Sequence, residues 1–437
     1  MKYRAEIDGL RALAVVPVIL FHAGFELFGG GYVGVDVFFV ISGYLITTIL
    51  IDDFDKKRFS LVNFYERRAR RILPALTFVS FVIALFGWFL LNPIELSKLG
   101  DALLGVATFT SNIVFWVGQG YFDESAELNP LLYTWSLAVE EQFYIFFPVF
   151  LVVAWRFGKN TVFWAIVVFS CMSLALSEWG WRNQAGANFY LSPTRAWELL
   201  AGSIAAFIVN KRGVQGNNVA SLIGLLAIIF SIFYYDEVTP FPSIYALVPV
   251  VGVVLLVLFA DAETFAARVL STKPLVSLGL ISYSAYLWHQ PLFAFTRTIN
   301  KNVDISASQA LLLVAATLVL AHLTWKYIET PFRSKSSFSK KEIGVLSAIA
   351  LSILFGVGLM SRTATNNLEF SLASSLVDSD FIYFANMDER KFIASRLNLP
   401  IKPIETLVMG SSRIMQVNST ILKDRVLNVS VSGASIE

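Results

Sequence analysis

Apolar residues run almost unbroken through most of this chain, and polar residues gather into short separators between the runs. Eleven stretches have roughly the 20 mostly apolar residues a membrane-spanning helix needs: 11–28, 33–51, 73–91, 135–155, 161–178, 195–210, 219–235, 245–260, 279–298, 307–327 and 343–360. A further stretch, 99–117, is more polar and reads as lying on or partly within a membrane. The basic start "MKYR" before the first run resembles a signal peptide. No small-x-small cleavage pattern follows and more apolar runs come at once, so the first run reads as a retained span.

The separators differ in charge. The segment 52–72, "DDFDKKRFSLVNFYERRARRI", holds seven basic residues and is expected on the cytoplasmic side. Alternation then puts 156–160, 211–218, 261–274 and 328–342 on the same side, and each carries Lys or Arg. The opposite separators, such as "DESAELNPL" and "YDEVTPFPS", are acidic or neutral. Eleven spans keep this pattern with the N-terminus inside, whereas a twelfth breaks it.

After residue 360 the pattern becomes mixed and polar. "IETLVMGSSR" reads as a short buried strand entering a turn and then a helix, the start of an extracytoplasmic α/β domain. The expected organisation is a membrane domain over 1–335, an additional span and linker over 336–365, and a partial outer domain over 366–437. This last part stops at "SVSGASIE" and reads as a fragment. No internal repeat of the kind many transporters carry is evident.

Composition supports the membrane reading. The 437 residues are 56% hydrophobic and only 15% charged, against roughly 25% charged in soluble domains. A net charge of +2 gives no reason to expect nucleic acid as a partner. Cys171 is the single cysteine, so no internal disulfide forms; it is expected to be a small core residue rather than a reactive thiol.

An ionisable group within a span has an energetic cost that a function should explain. With the orientation above, His22, Asp36, Glu140, Glu141, Arg195, Glu198 and His289 are expected at one depth in the outer half, drawn from five spans. Arg195 and Glu198, three apart, are expected to pair with each other. On the cytoplasmic side lie Arg11 and the run Arg67, Arg68, Arg70 and Arg71. Such a cluster is an orientation signal, but guanidinium forks also suit phosphate. Arg11 and His22 are eleven residues apart, about 16 Å along a helix. A phosphate-bearing donor at Arg11 could reach His22 through a long thin arm. The three histidines, His22, His289 and His322, lie on different spans without ligand spacing, so no metal site is expected.

Several segments together, "EIDGLRALAVVPVILFHAG", "GGGYVGVDVFFVISGYLIT", "FYERRARRILPAL", "TWSLAVEEQFY", "SYSAYLWHQPL" and "YIETPFR", closely resemble the membrane acyltransferase-3 family over about residues 1–335. The eleventh span and tail resemble the subgroup with a fused SGNH-hydrolase-like domain. The resemblance implies an all-α polytopic membrane protein followed by the start of an α/β domain. It also implies O-acetylation of a surface glycan (O-antigen, peptidoglycan or exopolysaccharide) with acetyl drawn from cytoplasmic acetyl-CoA. By resemblance His22 is the essential histidine, Asp36 the acid of "GVDVFF" and Glu140 a functional acid. Arg11, Arg67, Arg68, Arg70 and Arg71 then engage the coenzyme, and Glu141, Arg195 and His289 are substrate-side candidates. His22, oriented by Asp36, would act as general base or take the acetyl group itself.

The tail departs from the pattern. Where the SGNH motif has Gly-Asp-Ser, this chain has "GSSR" at Gly410–Arg413, with Ser412 at the nucleophile position and Ser411 replacing the acid. Gly433 matches the second-block oxyanion glycine. No histidine follows His322, so the tail as it stands has no Ser-His dyad. Two other readings fit the composition: a transporter or exporter of a glycan or lipid-linked intermediate, and a sensor or scaffold with an inert membrane part.

Overall fold

A computed structural model describes residues 3–118, 128–300, 305–334 and 337–375, together with 398, 406–408 and 426–428. Helices dominate. They are α1 (Ala5–His22), α2 (Gly34–Asp55), α3 (Leu61–Leu90), α4 (Pro93–Thr108), α5 (Ser111–Val117), α6 (Thr134–Ala154), α7 (Lys159–Asn183), α8 (Ala185–Tyr190) and α9 (Ser192–Arg212). There follow α10 (Asn218–Tyr234), α11 (Leu247–Phe259), α12 (Phe265–Leu270), α13 (Lys273–Leu280), α14 (Ser282–Ile299), α15 (Ala307–Thr324), α16 (Thr330–Arg333) and α17 (Lys340–Ser375). Two short strands, β1 (Thr406–Val408) and β2 (Val426–Asn428), pair in parallel with Thr406 opposite Val426.

Each of the eleven expected segments overlaps a helix. Six helical segments among the described residues are long and apolar enough to cross a membrane: 31–55, 61–90, 134–157, 159–183, 307–333 and 340–363. Two shorter apolar helices cover 218–234 and 244–259. Outside that set stand α1, α9 and α14, whose apolar runs are interrupted by Arg11, by Arg195 with Glu198, and by His289. Large apolar side chains such as Phe146, Trp164, Met172 and Leu312 stay exposed along the long helices. With hydrocarbon as solvent that exposure has no cost, and the protein is membrane-embedded.

The boundaries follow local chemistry. Ser306 and Gln309 form a capping box at α15, and Asn217 accepts the Ala220 amide at α10. Gly158 and Gly213, both at positive φ, turn the chain after the 3-10 turn that ends α6 and after α9. Residues 99–117 fall in two helices broken at Phe109 and Thr110, where Phe109 takes φ 57°. Two expectations are corrected here. The arginine run sits inside α3 rather than in a loop, since Leu, Arg, Ala and Glu are good helix formers and carry the helix out beyond its apolar part. Cys171 is exposed on α7, not buried.

The described chain divides into two compact units. The first, residues 1–83 and 102–355, holds all the site candidates outside the tail. Within it α2 and α9 cross at very short range. A Cβ on Gly43 would lie 1.8 Å from the Leu199 carbonyl oxygen, and one on Gly202 would lie 2.0 Å from that of Val40. This reciprocal backbone contact is the small-residue packing that membrane helices use where no hydrophobic force draws them together. The second unit comprises 84–101 and 356–437. In it Trp88 donates to Ser361 at 3.2 Å, and Arg362 pairs with Asp101 at 3.2 Å.

Candidate active site

Two histidines meet where α1 and α14 pack. The rings of His22 and His289 stand edge to face with centroids 5.1 Å apart. Each is held by a helix carbonyl: His22 Nδ1 lies 2.8 Å from the Val18 oxygen, and His289 Nδ1 lies 2.6 Å from the Tyr286 oxygen. A carbonyl only accepts, so the proton of each neutral ring belongs on Nδ1 and Nε2 is left as the basic nitrogen. His289 is wholly buried, and its Nε2 has no hydrogen-bond partner within the protein. Tyr133 and Tyr286 wall it in at 5.9 and 5.1 Å between centroids, and the Tyr133 hydroxyl is likewise buried without a partner. His22 is only half-buried, and Arg297 Nη2 donates to its backbone oxygen at 2.8 Å.

A second cluster forms where α2 meets α9. Arg195 Nη1 lies 3.4 Å from Asp36 Oδ1 and 3.2 Å from Glu198 Oε1, with all three side chains at most 1% exposed. Four rings, Phe39, Trp135, Phe189 and Phe241, surround the guanidinium with centroids 5.4 to 5.8 Å from its carbon. Aromatic faces favour a cation held away from water. The short α2–α9 crossing at Gly43 and Gly202 is what lets these three groups converge.

A third group lines a cavity of about 820 Å³, open mouth included, between α1, α2, α3, α6 and α14. Arg11, Arg68 and Arg71 line it, and so do Glu140, Glu141 and Tyr144. Glu140 accepts from Ser42 and from Tyr144, each at 2.9 Å. Arg11 reaches Asp8 at 3.4 Å, and Asp8 also accepts from Tyr3 at 2.7 Å. That hydrogen bond, with burial, pushes the Tyr3 hydroxyl up to about 12. Val35, Phe38 and Tyr286 line the cavity as well. Tyr286 thus touches the cavity with its ring and holds His289 with its carbonyl, linking the arginine-lined void to the histidine pair. Hydroxyls of Ser136 and Tyr286 join at 2.8 Å across this wall.

The sequence placed these groups differently. Glu140 and Glu141 do not gather with His22; they share a cavity with the arginines, because α6 packs its Glu face against α2 and α3. Asp36 does not orient His22. Its carboxylate oxygens have no hydrogen-bond donor and its ion-pair partner is Arg195, while the Val18 carbonyl orients His22. Arg195 and Glu198 do pair, and Asp36 joins them. Of the five expected donor arginines, Arg67 turns to Asp53 at 2.8 Å. Arg70 is buried against Glu66 and donates to the carbonyls of Phe332, Ser334 and Phe338. Residues 67 and 70 lie three apart on one helical face, and 68 and 71 lie on the next, so the run splits into a packing pair and a cavity pair. Among the described residues, Arg68 and Arg71 have no ion-pair or hydrogen-bond partner. Ser412 and Gly433 lie outside the described residues, and no group of three potential metal ligands occurs among the described ones. Reading the sequence missed Ser42, Tyr133 and Tyr286, since nothing in an apolar run separates a packing hydroxyl from one that lines a void.

A family model described as an acyltransferase domain matches residues 4–326. The peptidoglycan O-acetyltransferase OatA of Listeria monocytogenes is 34% identical over 402 residues, covering 84% of this chain and 64% of that protein. The O-acetyltransferase OatA of Staphylococcus aureus is 30% identical over 375 residues, covering 81% and 62% respectively. The chain thus spans somewhat less than two thirds of the length of these relatives. No solved structure matches.

Proposed function

Because this chain belongs to the acyltransferase family whose domain covers residues 4–326, we propose that it is an integral membrane O-acyltransferase that moves acetyl from cytoplasmic acetyl-CoA to a hydroxyl of an extracytoplasmic glycan. The names of its relatives favour peptidoglycan as that glycan. The observation that carries the reading is the cavity, which has the unpaired guanidiniums of Arg68 and Arg71 beside Arg11 and a wall, Tyr286, that holds His289 against His22. Guanidiniums without an internal partner suit the phosphates of the donor. The narrow, mostly apolar remainder suits an extended arm ending in a thioester.

His22, with its proton held on Nδ1, is the general base. Nε2 takes the proton of the acceptor hydroxyl as that oxygen bonds to the acetyl carbon. The carbon–sulfur bond breaks, the coenzyme leaves as a thiolate, and the imidazolium returns a proton to it. His289 packs its buried ring edge to face against His22 and fixes the position of the base. Asp36 is a positioning residue, acting through Arg195 and the α2–α9 contact. In this reading eleven helices cross the inner membrane with the N-terminus cytoplasmic, and the membrane domain covers 1–335. Residues 366–437 begin an SGNH-like outer domain, in which Ser412 is the site for an outward relay. The parallel pairing of β1 with β2 fits a strand–crossover–strand unit of that kind.

The test supplies labelled acetyl-CoA to the cytoplasmic face of sealed inner-membrane vesicles with peptidoglycan fragments inside. Wild type labels the glycan, while His22→Ala and Arg68→Ala with Arg71→Ala do not. Label that stays outside in wild type, with folded protein and acceptor present, refutes the transferase reading and favours a transporter.

A further inference from the structure

The segment "YIETPFR", residues 327–333, ends α15 in an unusual way. Residues Trp325–Glu329 form one turn of π-helix, which widens the ladder before Pro331 opens α16. Thr330 closes the wide turn by donating to the Trp325 carbonyl at 2.8 Å. Single π-turns re-aim the side chains that follow them and occur often at functional sites. Here the turn buries Glu329 at 1% exposure, where it accepts from the Ser284 hydroxyl and from Arg333.

Glu329 occupies one side of Arg333 only. Arg333 Nε is buried and has no hydrogen-bond partner in the protein, although its side chain remains one third exposed. Arg333 lies within electrostatic range of both Arg11 and Arg71, two of the guanidiniums that line the cavity. Tyr283 lies within the same range and lines that cavity too. Arg70, one residue before the cavity's Arg71, donates to the carbonyls of Phe332 and Ser334, the two chain neighbours of Arg333, so α3 ties this segment to the edge of the cavity. A guanidinium N–H left unmatched at such a place suits an anion.

We propose that Arg333, held on the π-turn by Glu329, is a fourth guanidinium of the donor site and takes a phosphate of the donor's nucleotide end. The inference rests on the acyl-CoA reading above and deepens it. Glu329 is then a positioning residue, fixing the Arg333 fork so that one edge faces the carboxylate and the other faces the ligand.

Initial rates of glycan acetylation are measured in reconstituted vesicles with two donors, acetyl-CoA and S-acetylpantetheine, the second lacking every phosphate. Losing one charge-assisted phosphate contact weakens binding about tenfold or more. Arg333→Gln is expected to raise KM for acetyl-CoA by about that factor with kcat kept, and to leave S-acetylpantetheine rates unchanged. Glu329→Gln shifts KM for acetyl-CoA in the same direction. Arg333→Lys, which keeps the charge and tests against a folding defect, falls between wild type and Arg333→Gln. Equal loss with both donors in Arg333→Gln and Arg333→Lys makes the residue structural and overturns the proposal. Unchanged kinetics with both donors overturns it as well. Wild type that uses neither donor fails the transferase reading itself, and the proposal with it.

Discussion

Replacing Arg195 with methionine removes the cation that pairs, among the described residues, with the two buried carboxylates of Asp36 and Glu198. At an effective dielectric of about 20, a contact at 3.2 or 3.4 Å is worth ~5 kcal/mol of attraction. Desolvation of the three groups offsets most of that in the native protein. The variant keeps the desolvation of Asp36 and Glu198 and loses the attraction, so it is expected to lose ~3–5 kcal/mol, the usual cost of breaking a buried pair from one side. The four rings around the guanidinium lose a further cation contact of about 1 kcal/mol. Thermal unfolding in detergent, followed by the fluorescence of the ten tryptophans, should show the midpoint fall by several degrees. The decisive comparison is a triple variant, Arg195→Met with Asp36→Asn and Glu198→Gln. Its uncharged centre should recover most of the loss, while Glu198→Gln alone, which leaves one carboxylate to one guanidinium, should be much milder than Arg195→Met. If Arg195→Met melts with wild type, or the triple variant is no better than the single one, the charge argument is wrong.

Other expectations follow from the same geometry. His22→Ala should abolish acetyl transfer while leaving the melting midpoint within about a degree, because the half-buried ring contributes little packing; a transfer-competent His22→Ala contradicts its role as base. Gly43→Val forces a side chain into the Leu199 carbonyl and should cost ~1–3 kcal/mol or more, with cross-linking between α2 and α9 reporting the separation. Arg67→Ala should leave KM for acetyl-CoA unchanged while Arg68→Ala raises it, since only Arg68 lines the cavity. In the loop after α10, the Thr239 hydroxyl, with the amides of Thr239 and Val238, holds the Asp236 carboxyl below its usual range. The turn is therefore supported above the ordinary carboxylate value and loosens as pH falls through the lowered one. Hydrogen exchange at Val238 and Thr239 should rise only in acid, and Asp236→Asn should weaken that dependence.

Many residues of the candidate site stood out before any fold. Hydropathy located helices at all eleven segments, and the cost of an ionisable group among apolar residues singled out His22, Asp36, Glu140, Arg195 and His289. Helical spacing paired Arg195 with Glu198. What failed was the assignment of partners. Depth was inferred from each residue's place in its own span, but helices tilt, break and start early. Extension of α3 back to Leu61 brought Arg68 and Arg71 to the cavity and turned Arg67 and Arg70 away.

The sequence by itself determined that this chain is membrane-embedded, that each apolar stretch falls on a helix, which separators are basic, and which few residues are costly enough to need a purpose. These are properties of composition and period, readable one segment at a time. Only the tertiary structure decided who meets whom: His22 with His289, Asp36 with Arg195, the glutamates of α6 with the arginines of α1 and α3. Such pairings depend on how closely and at what rotation helices approach one another; for Asp36 and Arg195 the approach of α2 to α9 is set at Gly43 and Gly202 by the absence of a side chain. The burial of Glu329 against Ser284 depends likewise on the π-turn that precedes Arg333, and neither an approach nor a rotation is carried by any one segment alone.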